Sequence, residues 1–321
     1  MKLRALLLAL SLVTSSTVPA SADERVPKVA VAYDIGFLGD NSFNDAVHLA
    51  LAQAKKKYKL VEPFVREVPT NGTAVDRLSR LRFLAKSGYT LIIAVGPGYR
   101  ETVRRVSMEY TETQFALIND RVLGQLNISN IAFNEAQGAF LAGVVAAAQS
   151  RRKSVGFIGS EPELLSSFRS GVRYVSSKVN VVNISYPDDI ATLKASLQKI
   201  DIGYSTWDGD STVLTAVLED FSKKVSLILE TPDQYFAKLP GAQSVVFARV
   251  NKVLNKSIDE LVKAALSDES LIDVLDDNGG IYGREYTVKN GGLTVELSSR
   301  ASQATRSQLS RAITQLKKSV N

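Results

Sequence analysis

The chain has no cysteine. This excludes disulfides, thiolate catalysis, iron–sulfur clusters and cysteine-ligated zinc. Only one histidine is present, His48, so no multi-histidine metal site can form, and a Ser-His-Asp triad would have to use that residue. His48 falls inside an amphipathic helical pattern without a G-x-S-x-G elbow and reads as a structural or surface histidine. There is no G-x-x-x-x-G-K-[ST] phosphate loop. Gly96-Pro97-Gly98 begins like a dinucleotide fingerprint, but Glu101 stands where the third glycine belongs and Pro97 lacks the N–H that would face a phosphate. Paired carboxylates occur only in turns such as Asp208-Gly209-Asp210 and Asp276-Asp277-Asn278, and neither has the full calcium-loop spacing. The positive excess is small, with 39 Lys and Arg against 33 Asp and Glu and a net charge of +6. It is scattered and argues against nucleic acid as a partner. The residues therefore assign no catalytic group, no metal site and no cofactor, and the chain is read as not an enzyme.

What is present is an ordinary globular composition over 321 residues, 45% of them hydrophobic, which suggests about two domains. Residues 1–22 stand apart. Lys2 and Arg4 precede an apolar run from Ala5 to Val13, too short for the ~20 residues of a membrane span, and Ala20-Ser21-Ala22 follows as a small-x-small site. This pattern predicts a signal peptide cleaved after Ala22 and a soluble exported product, periplasmic or extracellular.

Beyond residue 28 short β-branched runs alternate with helical spacings. Strands are expected at 29–33, 60–68, 90–95, 115–118, 131–133, 155–158, 181–184, 202–205 and 225–229. Helices are expected between them, the first opened by a Ser42…Asp45 capping box. Strands apolar on both faces and separated by helices imply parallel sheets in βαβ units. Two such series occur, each of domain size. Ligands of open α/β sheets bind beyond the carboxyl ends of the strands. That singles out the loops 34–44, 96–99, 119–121, 206–210 and 230–234. The stretch 302–320 reads as a basic amphipathic helix, with Leu309, Ile313 and Leu316 on one face, packed on the second lobe or, alternatively, on a membrane or partner.

Several segments resemble one family. They are Val31-Ala32-Tyr33-Asp34 with Gly39-Asp40-Asn41-Ser42-Phe43-Asn44, then Phe115-Ala116-Leu117-Ile118-Asn119, then Ile131-Ala132-Phe133 to Glu135 with Gly138-Ala139-Phe140-Leu141-Ala142-Gly143, then Lys153 to Gly159, and finally Tyr286-Thr287-Val288-Lys289-Asn290-Gly291-Gly292. In this order they are similar to the basic membrane protein family of ABC-transporter substrate-binding proteins, which includes purine nucleoside receptors. The resemblance runs from about residue 29 to 297. It implies an α/β, two-lobe periplasmic-binding-protein fold of the first type, each lobe a parallel sheet flanked by helices, joined by three hinge crossovers. The lobes are expected as 29–130 with 251–280, and 131–250 with 281–321, with crossings near 120–132, 246–252 and 276–286.

The same resemblance implies capture of a nucleoside-like ligand between the lobes and delivery to an ABC permease in the membrane by a monomeric receptor. Its ligand-binding residues would be Asp34, Ser42, Phe43, Asn44, Asn119, Trp207, Asp208, Thr231 and Lys289. Phe43 would stack on the base with Asn44 on its edge, Asp34 would bond the base or ribose, Trp207 would be the second stacking aromatic, and Lys289 a late ligand contact. Three departures stand out. Asn119 and Thr231 occupy positions where the family carries Asp, the glycine pair after the eighth expected strand is altered around Trp207-Asp208-Gly209, and the lipid-bearing cysteine is missing. A sugar or other small signalling solute on the same fold, or a sensory or interaction protein without transport, stay open as alternatives.

The intact mass of the exported protein is expected to correspond to a chain beginning at Asp23 with no acyl group. An uncleaved or acylated N-terminus would contradict this reading.

Overall fold

The computed structural model describes residues 27–318 apart from 36–37, 41, 123, 186–188, 207–211, 234–239 and 278. The expected signal peptide, Trp207 and Asp208 lie outside the described residues. From the N-terminal side the chain runs through β1 (Val29–Tyr33), α1 (Phe43–Tyr58), β2 (Val65–Val68), α2 (Ala74–Lys86), β3 (Leu91–Val95), α3 (Arg100–Glu109), β4 (Gln114–Ile118) and β5 (Ile128–Phe133). It crosses into α4 (Glu135–Gln149), β6 (Ser154–Ile158), α5 (Pro162–Val175), β7 (Asn180–Ile184), α6 (Ile190–Leu197), β8 (Ile202–Ser205), α7 (Thr212–Ala216), β9 (Ser226–Thr231), α8 (Ala242–Val245) and β10 (Val246–Lys252). It then returns for α9 (Leu254–Leu266), β11 (Asp273–Asp276) and β12 (Ile281–Tyr286), and crosses once more to β13 (Leu293–Leu297) and α10 (Gln303–Lys318).

Two sheets result, one of seven strands in the order β11-β12-β5-β4-β3-β1-β2 and one of six in the order β13-β10-β9-β8-β6-β7. The central strands β1, β3 and β5 are buried at every residue, as sheets covered by helices on both faces require. The edge strand β11 is largely exposed. The sheets are mixed rather than purely parallel, because β11 pairs antiparallel with β12 and β13 antiparallel with β10. Both returning strands come from the last part of the chain, where the sequence shows no βαβ rhythm. The expected strand 60–68 is confined to Val65–Val68.

The sheet memberships place the crossings at Asn134, at Val253 and at residues 287–292. They sit a few residues later than the sequence pattern suggests, since Ile131–Phe133 and Ile281–Tyr286 complete the first sheet and its lobe. The three crossings lie side by side. Asn134 N–H donates to Tyr286 O at 2.9 Å, and Val253 N–H to Gly292 O at 2.9 Å.

Helix α4 is buried around most of its circumference, from Gly138 through Ala147. An apolar helix of this kind needs cover on every side. The sheet supplies one side and α5 another. The third is α10, whose Leu309 and Ala312 are buried and whose Thr305 hydroxyl donates to Gln149 Oε1 at 2.8 Å. The amphipathic C-terminal helix is thus packed on the second lobe.

The α4–α5 crossing is glycine on glycine. A Cβ on Gly143 would lie 2.1 Å from Phe168 O, and one on Gly171 1.9 Å from Phe140 O. Both obstructions are backbone and cannot swing away. Helix propensity alone would favour alanine over glycine by about 1 kcal/mol, but the clash decides the sign. Gly171→Ala is expected to lower the unfolding free energy by about 1–3 kcal/mol, read by urea denaturation. A neutral or stabilised variant would mean that the helices separate freely.

Candidate ligand cleft

The carboxyl ends of the strands of both sheets face one another across the crossings. Asp34 follows β1, Gly96 follows β3, Asn119 follows β4 and Asp233 lies just beyond β9. Between them is a cavity of about 480 Å³ whose lining includes Asp34, Asp40, Phe43, Asn44, Asn119 and Asp233. A second cavity of about 520 Å³ adjoins it through Asn119 and runs past Arg100, Asp120, Arg121, Asn134, Glu135 and Glu163.

Four of the residues singled out from sequence, Asp34, Phe43, Asn44 and Asn119, meet in the first cavity. Asp34 does so as a fixed wall. Its Oδ1 accepts from Arg77 Nε at 2.8 Å and its Oδ2 from Gly98 N–H at 3.0 Å. Gly98 has no room for a side chain, since a Cβ there would stand 2.4 Å from Asp34 Oδ2. The Gly96-Pro97-Gly98 turn therefore holds a carboxylate of its own chain. Asn119 adopts a left-handed conformation, φ 53°, which asparagine tolerates better than most side chains, and its N–H is tied to Ile131 O at 2.8 Å.

The start of α1 is organised differently from the expected capping box. Asp40, and not Ser42, accepts the backbone N–H groups, Ser42 at 2.8 Å, Asn44 at 3.0 Å and Asp45 at 3.1 Å. The Asp45 carboxylate turns back to Gly39 N–H at 2.7 Å. Ser42 is released for another task, and its hydroxyl donates to Pro232 O in the second lobe at 2.7 Å. A carboxylate with two acceptor oxygens ties more donors at a helix start than a hydroxyl can, which explains the exchange.

Two other expected residues do not join the cavity. Thr231 is half-buried with its hydroxyl bonded to Asn251 Oδ1, and Asp233 lines the cavity in its place. Lys289 is exposed on the third crossing and lines neither cavity. His48 pairs with Glu67 at 2.7 Å, on an acceptor that Tyr33 also uses, in keeping with a structural role.

The strongest electrostatic feature escapes motif reading. Lys252, the last residue of β10, has a side chain only 2% exposed. Its ammonium lies 2.5 Å from Glu135 Oε1, 2.5 Å from Asp233 Oδ1 and 3.9 Å from Glu230 Oε2. It also lies 5.7 Å from the centre of the Phe43 ring. Oxygens of Glu135, Glu230 and Asp233 converge within 4.8 Å of one another, and the cation among them is the chain's own. Burial alone would lower the pKa of Lys252, but Asp233, Glu230 and Glu135 outweigh it and raise it. Glu230 is buried and accepts from the Tyr204 hydroxyl. Burial pushes its carboxyl up to about 8, with Lys252 pulling against the shift and Asp233 and Glu135 adding to it. The available signals were a lysine closing an apolar strand and an aspartate in a strand-end loop, and neither has a motif spacing.

The family model for PnrA-like ABC transporter substrate-binding proteins matches residues 27–192, just over half of the chain. The chain belongs to this family. Among relatives, basic membrane protein A1 of Borrelia garinii subsp. bavariensis is 29% identical over 183 residues, 54% of this chain and 52% of that protein. The CD4+ T-cell-stimulating antigen of Listeria monocytogenes serovar 1/2a is 26% identical over 232 residues, 64% of this chain and 63% of that protein. The chain thus spans about half to under two-thirds of the length of these relatives. Among solved structures, a transcriptional activator of the comK gene from Bacillus halodurans superposes with a TM-score of 0.69 at 18% identity, covering 91% of this chain and 98% of that one. An ABC transporter solute-binding protein from Conexibacter woesei gives 0.68 at 16% identity, covering 90% and 96%. At such identities the superpositions show the fold, which is that of the two-lobed periplasmic binding proteins. For this PnrA-like chain, no described helix is long and apolar enough to cross a membrane.

The raised Glu230 carboxyl has a pH signature. Between the ordinary value of 4.5 and about 8 the folded state keeps a proton that the unfolded chain has released. Stability contributed by this group therefore falls as pH rises through that window. Glu230→Gln, uncharged throughout, is expected to flatten the fall between pH 5 and 8 in urea-unfolding series. Identical slopes for the two proteins would contradict the assignment.

Proposed function

We propose that the chain is an exported, non-enzymatic receptor that captures a nucleoside-like ligand between its lobes and presents it to an ABC permease. One observation carries this reading. An interlobe cavity at the strand ends brings Asp34, Phe43, Asn44 and Asn119 together, residues that the family resemblance assigns to the ligand. The cavity is large enough for a base with its sugar and offers one aromatic face ringed by hydrogen-bonding groups, which is the usual make-up of a small-molecule site. Phe43 stacks on the base and Asn44 reads its edge. Trp207, Asp208 and Lys289 complete the contacts on closure, Trp207 as the second aromatic.

A sugar is the competing ligand. The same fold in a carbohydrate-transporter binding protein from Agrobacterium radiobacter holds D-arabinose, at a TM-score of 0.53 and 15% identity, and Asn119 and Thr231 depart from the family's acidic residues. Thermal-shift and calorimetric titration with inosine, adenosine, guanosine, uridine, D-ribose and D-glucose separates the two. A ligand at 100 times its Kd adds about 2.7 kcal/mol of stability. Phe43→Ala is expected to weaken nucleoside binding roughly 5- to 150-fold, from a stacking contribution of about 1–3 kcal/mol. Trp207 is the sole tryptophan, and its fluorescence should change on binding. Nucleoside binding that survives Phe43→Ala and leaves the fluorescence unchanged, or a sugar that binds where nucleosides do not, would overturn the reading.

A further inference from the structure

Most polar groups on the first-lobe wall of the cavity are already engaged. Both Asp34 oxygens are taken by Arg77 and Gly98, and Asp40 holds three backbone N–H groups of its own helix start. The second-lobe wall differs. Asp233 has a side chain 9% exposed and lines the cavity, with Oδ1 bonded to Lys252. Its Oδ2 is buried and has no hydrogen-bond partner. A buried carboxylate oxygen without a donor is unfavourable, because the water it gave up has not been replaced. The Lys252 ammonium is bonded to Oδ1 and to Glu135, each at 2.5 Å, and makes no hydrogen bond to Oδ2. The peptide just before it is also pinned, since Pro232 O accepts from Ser42 across the cleft.

We propose that Asp233 is the second lobe's ligand-binding residue, its Oδ2 accepting a hydroxyl of the ligand's pentose, with Lys252 and Glu135 positioning it. This rests on the reading of the cleft as a nucleoside site. With the base on Phe43 and its edge on Asn44, the groups left to face the second lobe are the sugar hydroxyls. A carboxylate only accepts, and a hydroxyl is the donor that a pentose offers. Asp233 thereby stands in for Thr231, which the resemblance counts among the ligand-binding residues and whose hydroxyl is spent on Asn251.

The test is calorimetric titration of the full chain and of Asp233→Asn with inosine and with 2′,3′-dideoxyinosine. The unaltered protein is expected to bind inosine about 10- to 150-fold more tightly than the dideoxy compound, the range for a hydrogen bond to a charged group. Asp233→Asn should lose most of that factor for inosine while changing dideoxyinosine less than about 3-fold. Equal affinity of the unaltered chain for both compounds overturns the proposal, whether or not the variant folds. So does an equal loss for both compounds in the variant, or inosine affinity unmoved by the substitution, and each of these leaves the nucleoside reading standing. If inosine does not bind but D-ribose or D-arabinose does, and Asp233→Asn weakens that sugar, the nucleoside reading falls and the role of Asp233 holds. Failure of all four compounds to bind overturns both.

Discussion

A buried ammonium must be neutralised where it stands, and the cleft is arranged around that requirement. Lys252 is almost wholly enclosed, and the carboxylates of Glu135 and Asp233 are gathered on it, with the proton-keeping Glu230 carboxyl beside them at 3.9 Å. Removing one partner from a buried ion pair typically costs about 3–5 kcal/mol, because the remaining charge is stranded. The carboxylates are thus held in place by charge balance as much as by packing. Glu135 opens α4 immediately after the first crossing, and Lys252 ends β10 immediately before the second. One ion pair therefore ties two of the three connections between lobes. The same cation sits against Phe43 of the opposite lobe, so the charge cluster also fixes where the aromatic face lies.

The contact between lobes follows from a local exchange at α1. Because Asp40 satisfies the helix start, Ser42 can reach across to Pro232. Rigid lobes that meet through a few polar contacts and bend at short crossings are the arrangement in which hinge closure occurs. The glycine-on-glycine crossing of α4 and α5 adds to that rigidity, since neither helix has slack against the other.

Much of this architecture was legible in the sequence. Val29–Tyr33, Leu91–Val95 and Ile202–Ser205 are short apolar runs between helical spacings, and they form the strands they announce. The helices were recognisable by the spacing of apolar residues between those runs, and Phe43, Asn44 and Asn119 by their place after strands. What stayed hidden was long-range. Nothing in the spacing of Glu135, Asp233 and Lys252 brings them together, because their meeting depends on β9 and β10 being neighbours in the second sheet. The pairing of Arg77 with Asp34 is likewise a contact between a helix and a strand end 43 residues apart. The capping box failed for a related reason, since a serine that fits a local rule was claimed by a carbonyl 190 residues away. The edge strands β11 and β13 were missed because an antiparallel edge strand carries no crossover helix to mark it.

The occupied start of α1 bears on which chemical form of a solute can lodge there. A helix that begins with unsatisfied amides is a natural seat for a phosphate group. Here Asp40 fills that place, and Asp34 and Asp233 stand on the walls around it. A phosphate group entering this space would find the amides of Ser42, Asn44 and Asp45 already spent on a carboxylate of the chain itself.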